Sequence, residues 1–567
     1  LFFIGVENDD TLTLTDVDTG EETSVPSDGF TQLRPNGGVR RVIGTALVQF
    51  QLSDPDPARR LSALESIGRR GDASQLPLLV ASLDGEDDPA IRARKEQLIN
   101  FLTARFGENT DARIAAINSL SKDTSVEARA VLNQILDGET HVATEIPDDI
   151  NLAAVLDPTQ DPDASYAELV DAGLAPAIVA PENILASLEA NIVDGRVGDV
   201  SVAQLDTDEG RAEAYKALAL AGTVPPLVTQ DDITFALQSA SFFTVYDEPN
   251  PAITDAARAA LDSVETRVGI AQTVDLTLDG LSLASIYFLA AIGLAITFGQ
   301  MGVINMAHGE FIMMGAYTGY VVQLFVPDYT ISLIIALPLA FAVTFGAGVA
   351  MERLVIRHLY HRPLETLLAT FGISIALQQI AKNIFGTQAR PLTSPEWLGG
   401  ALVISDVIQI SYIRIAIFVL ALIFLCVLLY ILKRTRLGLE VRAVTQNPGM
   451  AASMGINPDR INMMTFGLGS GIAGVAGVGI GLYAQVTSEM GANYIVQSFM
   501  TVVVGGVGSV FGTLAGAGLI GFLQKGIEWL NPSNTLAAQT YMILFIILFI
   551  QFRPKGIIAL KGRAAAD

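Results

Sequence analysis

The sequence predicts an α-helical polytopic membrane protein with an N-terminal soluble domain, itself a small β element followed by HEAT-like helical repeats. Three observations carry this. Apolar runs long enough for a helix to cross a bilayer fill the chain beyond Leu281. Leu281 onward also holds only 16 of the 35 Lys/Arg and 11 of the 59 Asp/Glu, so of the net charge of -24 the front part carries -29 and the back part +5. Third, a helix-start motif recurs ahead of the apolar runs. At 567 residues the chain exceeds a single compact core. The expected organisation is a β-rich element over 1–45, repeats over 46–140, a mostly helical extra-cytoplasmic region over 141–275 and a transmembrane domain of about 8 helices, some broken, over 276–567.

The opening LFFIGVENDD lacks an initiating methionine, and its apolar part is too short for a signal peptide. It is read as an exported precursor that has lost its leader, or as a truncated chain. From Thr11 to Val25, TLTLTDVDTGEETSV alternates polar and apolar residues about Thr19-Gly20, a hairpin pattern. From Leu47 the period becomes helical. DPARRLSALESI from Asp56, DPAIRARKEQLI from Asp88 and NPAITDAARAAL from Asn250 each place an N-capping Asp or Asn before a proline at the first helical position. The spacing of about 32 residues between Pro57 and Pro89 matches stacked helix pairs. Such a solenoid serves either as a concave docking surface or as a cap over the membrane domain. The acidic field of this part repels nucleic acid and anionic lipid heads alike, so no nucleic-acid partner is expected.

The eight candidate spans are Leu281–Gly299, Phe311–Val326, Ile331–Met351, Leu367–Phe385, Ile415–Leu432, Met463–Tyr483, Val496–Phe522 with breaks, and Leu536–Phe552. Basic residues cluster at Arg353, Arg357 and Arg362, at Lys433, Arg434, Arg436 and Arg442, and in the tail at Arg553, Lys555, Lys561 and Arg563. Positive loops mark the cytoplasmic side, which places the acidic domain outside the membrane and the C-terminus inside. In the Met463–Tyr483 run, Gly467 and Gly471, and Gly477 and Gly481, stand four apart, a spacing that lets helices approach closely.

Two apolar regions are interrupted by glycine and polar residues: GQMGVINMAHGEF (Gly299–Phe311) and VVVGGVGSVFGTLAG (Val502–Gly516). Unwound backbone inside a membrane is tolerated only where it lines a cavity or is buried in protein, so paired interruptions point to a translocation path. Gln300, Asn305, His308, Glu310, Gly505 and Gly506 are its candidate residues. The competing reading has His308 and Glu310 pairing with each other or with backbone to fix a helix end. His358 and His361 sit in a basic loop whose nearest carboxylate is Glu365, and Cys426, the single cysteine, lies in an apolar run, so no metal site or disulfide is expected. No paired carboxylates, triad or phosphate-binding G-x-x-x-x-G-K-[ST] motif occurs, which argues against an enzyme and assigns any ATP hydrolysis to another chain.

GVINMAHGEFIMMGAY (Gly302–Tyr317), LLATFGISIALQQ (Leu367–Gln379), RLGLEVRAVTQNPGMAASMGIN (Arg436–Asn457), VVVGGVGSVFGTLAGA (Val502–Ala517) and FRPKGI (Phe552–Ile557) resemble the permease subunits of the branched-chain amino acid family of ABC importers. NGGVRRVIGTALVQFQLSDPDPARRLSALESI (Asn36–Ile67) is similar to the extra-cytoplasmic extension of that family's urea-transporter permeases. The resemblance implies a urea permease subunit, with short-chain amides or branched-chain amino acids as alternative substrates; a passive channel with a scaffold domain is the competing class. It also implies a second permease subunit, two ATP-binding subunits that hold the ATP, an extra-cytoplasmic solute-binding protein and contact with membrane lipid. Glu440, Arg442, Asn447, Met454 and Gly455 fall in the loop that would dock on the ATPase. Here Ala451-Ala452 precedes Gly455 by only two residues, and Glu440 lies far upstream, a departure from the E-A-A-x-x-x-G pattern of other importer classes. Val441, Val444 and Thr445 are expected to form one face of a short helix there.

Overall fold

The computed structural model describes residues 3–8, 11–16, 22–26, 36, 50–360 and 362–558. The chain divides into two compact units, Leu1–Val264 and Glu265–Asp567. The Thr19-Gly20 turn, most of Asn36–Phe50, His361, Lys561 and Arg563 lie outside the described residues.

In the first unit, β1 (Phe3–Asn8), β2 (Thr11–Asp16) and β3 (Glu22–Pro26) pair antiparallel in that order. Helices α1 (Pro57–Arg70), α2 (Gln75–Ala81), α3 (Pro89–Phe106), α4 (Thr110–Leu120) and α5 (Val126–Ile135) follow. The Asp-Pro starts behave as expected: Asp56 accepts from Ala58 N, and Asp88 from Ala90 N and Ile91 N, while proline gives up no backbone bond at the first turn. Helix α3 is the hub. It packs against α1, α2, α4 and α5 and buries Ile91, Leu98, Phe101 and Leu102. Lys95, on the same helix, is also buried, and its Nζ lies 3.0 Å from Glu86 Oε2 while donating to the carbonyls of Leu52 and Ser82. Arg60 adds a second cation 3.0 Å from Glu86 Oε1, so this buried carboxylate is answered twice.

Beyond α5, strands β4 (Gly138–Ala143) and β5 (Leu152–Leu156) flank β8 (Ser241–Tyr246) in a three-stranded antiparallel sheet. Between β5 and β8 run α6 (Pro162–Asp171), α7 (Pro181–Ala190), the two-residue strands β6 (Arg196–Val197) and β7 (Val200–Ser201), α8 (Asp208–Leu220) and α9 (Gln230–Ser239). Two small cores result, one around Tyr166, Leu169, Ile233 and Phe242, the other around Leu188, Val197, Tyr215 and Leu218.

Helix α10 (Pro251–Met301) starts on an Asn250 cap in the first unit and ends in the second. The second unit continues with α11 (His308–Phe325), α12 (Tyr329–Leu354), α13 (Pro363–Phe385), α14 (Tyr412–Arg434), α15 (Arg436–Gln446), α16 (Pro448–Ser453), α17 (Pro458–Tyr483), α18 (Met490–Gly505), α19 (Val510–Leu530) and α20 (Thr535–Phe552). Among the described residues, six helices are long and apolar enough to cross a membrane: α10, α12, α13, α14, α17 and α19. The apolar run Val496–Phe522 is two helices, α18 and α19, joined at Gly506–Ser509. Helix α17 is buried along most of its length, with α11, α12 and α15 against it, whereas α12, α13 and α14 present apolar side chains outward.

The glycine spacing on α17 has a direct cause. A methyl carbon built on Gly477 would stand 1.9 Å from the Ile312 carbonyl oxygen, and one on Gly474 2.2 Å from Thr344 Oγ1. Helices α11 and α12 therefore reach α17 at backbone distance, which any side chain would prevent.

Candidate functional site

Two interruptions of the bundle set the geometry of the site. In the first, the chain leaves α10 through Gly302 (φ 63°), runs non-helical to Ala307 and starts α11 at His308. In the second, it leaves α17 at Tyr483, runs non-helical through Ala484–Glu489 and starts α18 at Met490. The two helix starts meet. A methyl carbon on Gly309 would lie 2.2 Å from the Gly491 carbonyl oxygen, and one on Gly491 2.6 Å from that of Gly309. Neither helix has a side-chain cap, because Ala307 offers none and the Glu489 side chain bonds Lys382 at 2.9 Å instead.

Around this crossing Asn305, His308 and Glu310 are buried, and Gln300 is half-buried. Asn305 Oδ1 accepts from Ala307 N at 3.0 Å, holding the turn into α11. His308 Nε2 lies 3.0 Å from the Ala290 carbonyl oxygen on α10. Glu310 Oε1 accepts from Ser374 Oγ and Gln378 Nε2 on α13, both at 2.8 Å, while its Oε2, lying against Gly491, has no hydrogen-bond partner among the described residues. His308 and Glu310 therefore bond to different helices. Gln300 Nε2 donates to Asn462 Oδ1 at the start of α17, 3.1 Å away.

Gly505 and Gly506 sit apart from that cluster, at the α18–α19 turn. Gly505 packs against the Gly512 carbonyl, and its own carbonyl accepts from Ile558 N at 3.0 Å; Gly506, at φ 106°, lies against the same tail segment. The two glycine-rich stretches do touch, since a methyl carbon on Gly299 would be 2.0 Å from Gly508 Cα. Gly491 and the Ala484–Glu489 segment escaped the sequence reading. That stretch has neither a glycine cluster nor an apolar run to flag it; the residue that gives it meaning, Gly309, lies far away in the chain.

In the basic loop, Asn447 caps α16 by accepting from Met450 N at 2.9 Å, and Gly455 turns the chain at φ 83°. Glu440 pairs with Arg436 at 2.7 Å, and Arg442 Nε donates to the Gly438 carbonyl. Val441 and Val444 turn inward, forming a small core with Ala451 and Ile461. The exposed apolar side chains of the loop are instead Leu439, Met450 and Met454, the last 77% exposed. Among the described residues no group of three His, Cys, Asp or Glu is placed to hold a metal.

Residues 276–551 match the family described as branched-chain amino acid transport system, permease component. The matched stretch is just under half of the chain. Similar curated proteins include the high-affinity branched-chain amino acid transport system permease protein BraD of Pseudomonas aeruginosa, 29% identical over 292 residues, which are 49% of this chain and 94% of BraD. LivH of Escherichia coli, of the same description, is 27% identical over 291 residues, 49% of this chain and 93% of that protein. LivM of Salmonella typhimurium is 24% identical over 50% of this chain and 70% of its own length. No solved structure matches. The family match lies within the second unit, and the alignments cover nearly the full length of BraD and LivH. These relatives are described as transport-system permease proteins.

Proposed function

We propose that the chain forms the translocation path for urea in an ATP-driven importer, with its acidic unit outside the membrane and its basic loops inside. The observation that carries the substrate reading is the state of the ionisable groups at the first break. His308 is engaged by a backbone carbonyl and Glu310 Oε1 by a hydroxyl and a carboxamide, so the break holds no pair of opposite charges matched to the two ends of a zwitterion. Urea needs none: it is neutral, with donors and acceptors that neutral groups satisfy. The second reading, a branched-chain amino acid, is favoured by the names of the relatives and by Glu310 Oε2, which has no hydrogen-bond partner among the described residues and suits an ammonium group.

In this reading a second permease subunit completes the path, two ATP-binding subunits bind and hydrolyse ATP, and an extra-cytoplasmic binding protein delivers the solute. HEAT-like helix pairs of the first unit provide a docking surface. Leu439, Met450 and Met454 are exposed apolar anchors suited to a groove on an ATP-binding subunit. Uptake of labelled urea against labelled leucine by cells expressing the complete complex tests the substrate: urea uptake supports the reading, and leucine uptake alone replaces it with the second. Asn305→Ala and His308→Ala should lower transport with expression and assembly intact. Replacing Arg442 and Met454 together should release the ATP-binding subunits or uncouple hydrolysis from transport, and a double mutant transporting at the wild-type rate removes the loop from the mechanism.

A further inference from the structure

The second interruption opens onto a cavity of about 520 Å³, lined by residues of α10, the Ala484–Glu489 segment, α18, α19 and α20. Its volume falls in the range of small-molecule sites. The chemistry of its wall is narrow. Among the described residues, Gln485, Asn493, Gln497, Gln524 and Gln539 bring five carboxamides to it, Tyr287 and Tyr494 two phenols, and no Asp, Glu, Lys, Arg or His lines it.

Two observations indicate that this polarity faces a ligand. Gln497 lines the cavity, and its buried Oε1 has no hydrogen-bond partner among the described residues, an unmet acceptor on the wall. Gln524, itself buried, is held in place from both sides: its Oε1 accepts from Tyr287 Oη at 2.5 Å and its Nε2 donates to Glu528 Oε1 at 2.9 Å. The nearby charge is neutralised outside the cavity, because Lys525 Nζ lies 2.8 Å from Glu528 and 3.7 Å from Asp279, which also pairs with Arg414.

We propose that this cavity is a solute subsite for small neutral carboxamide-type molecules, urea and short-chain amides, with Gln497 and Asn493 as the residues that select them. Carboxamide side chains offer both a carbonyl acceptor and two N–H donors, the complement of the solute's own groups. An amino acid zwitterion would leave its carboxylate and its ammonium without a counter-charge here, a desolvation cost that neutral groups do not offset. The assignment rests on the urea reading above, which it extends by naming where the solute binds.

The test uses the complete complex in proteoliposomes, with labelled urea and labelled leucine as probes and acetamide as competitor. Gln497→Leu and Asn493→Leu should each raise the urea concentration for half-maximal uptake about tenfold, the effect of one or two lost hydrogen bonds, and weaken competition by acetamide in parallel. Asn493 is exposed, so its variant reports on the site even if Gln497→Leu disturbs assembly. Urea uptake with wild-type concentration dependence in Asn493→Leu and in any assembled Gln497→Leu overturns the subsite and leaves the urea reading standing. A wild-type complex that carries leucine and not urea overturns the substrate class whatever the variants do.

Discussion

The two units fill their interiors by different means. In the first, helices are held apart by large side chains: Tyr166 and Tyr215 are almost completely buried, and a lysine and a glutamate are buried together at the centre of the α1–α3 group. In the second unit the closest contacts are made by backbone, Gly309 on Gly491, Gly315 on Gly474 and Gly505 on Gly512. The difference follows from solvent. Water drives apolar side chains together around the first unit, whereas lipid is as apolar as a leucine, so helices in a membrane gain by close backbone approach and by polar bonds between them. Buried charge follows the same division. Glu86 is matched by two cations, while Glu310 is held by neutral Ser374 and Gln378.

Substitution can break that contrast at its strongest point. Gly309→Val would drive a side chain into the Gly491 carbonyl and should abolish recovery of folded, assembled protein from detergent, whereas Gly518→Ala, at a glycine with open space around it, should leave yield unchanged or raise stability by about 0.8 kcal/mol. Equal yields from the two variants would show that backbone contact does not organise the second unit.

In the first unit the corresponding weak point is charge. Lys95→Met leaves Glu86 with one cation and two carbonyls without their donor, and should cost about 3 kcal/mol, read as a shift of the first unit's unfolding in chemical denaturant on the whole chain. The pH dependence sharpens this. Burial raises the Glu86 carboxyl, but the hydrogen bonds from Lys95, Asp88 N and Arg60 outweigh it and hold the group below the ordinary glutamate value of 4.5. Its folded value is thus below its unfolded one, so its contribution is fully present above about pH 4.5 and is lost as pH falls through the folded value. Acid unfolding of this unit should steepen in that window, and Glu86→Gln should flatten it. The smallest effect is local: Asp56→Ala removes the cap bond to Ala58 N and should cost about 1 kcal/mol, measurable as faster amide exchange in the first turn of α1.

Much of this arrangement was legible in the residues alone. The Asp-Pro and Asn-Pro pairs mark the starts of α1, α3 and α10 because a cap bond spans two or three residues and needs no distant partner. Apolar runs locate the membrane helices for the same reason, since hydropathy is a property of one segment. Gly477 on α17 was recognisable as a contact glycine, but not that it meets Ile312. Val441 and Val444 have helical spacing, yet which way they face depends on Ile461 at the start of α17.

The sequence by itself determined where the helices run, how charge divides between the two parts and which residue types interrupt the membrane domain, because each of these is local to a segment. Only the tertiary structure decided that α11 begins against α18 and that Gln485, Asn493, Gln497, Gln524 and Gln539 share one cavity. Those juxtapositions arise from how glycine-lined helices cross, and no periodicity within a single segment encodes which distant backbone will occupy the space a missing side chain leaves.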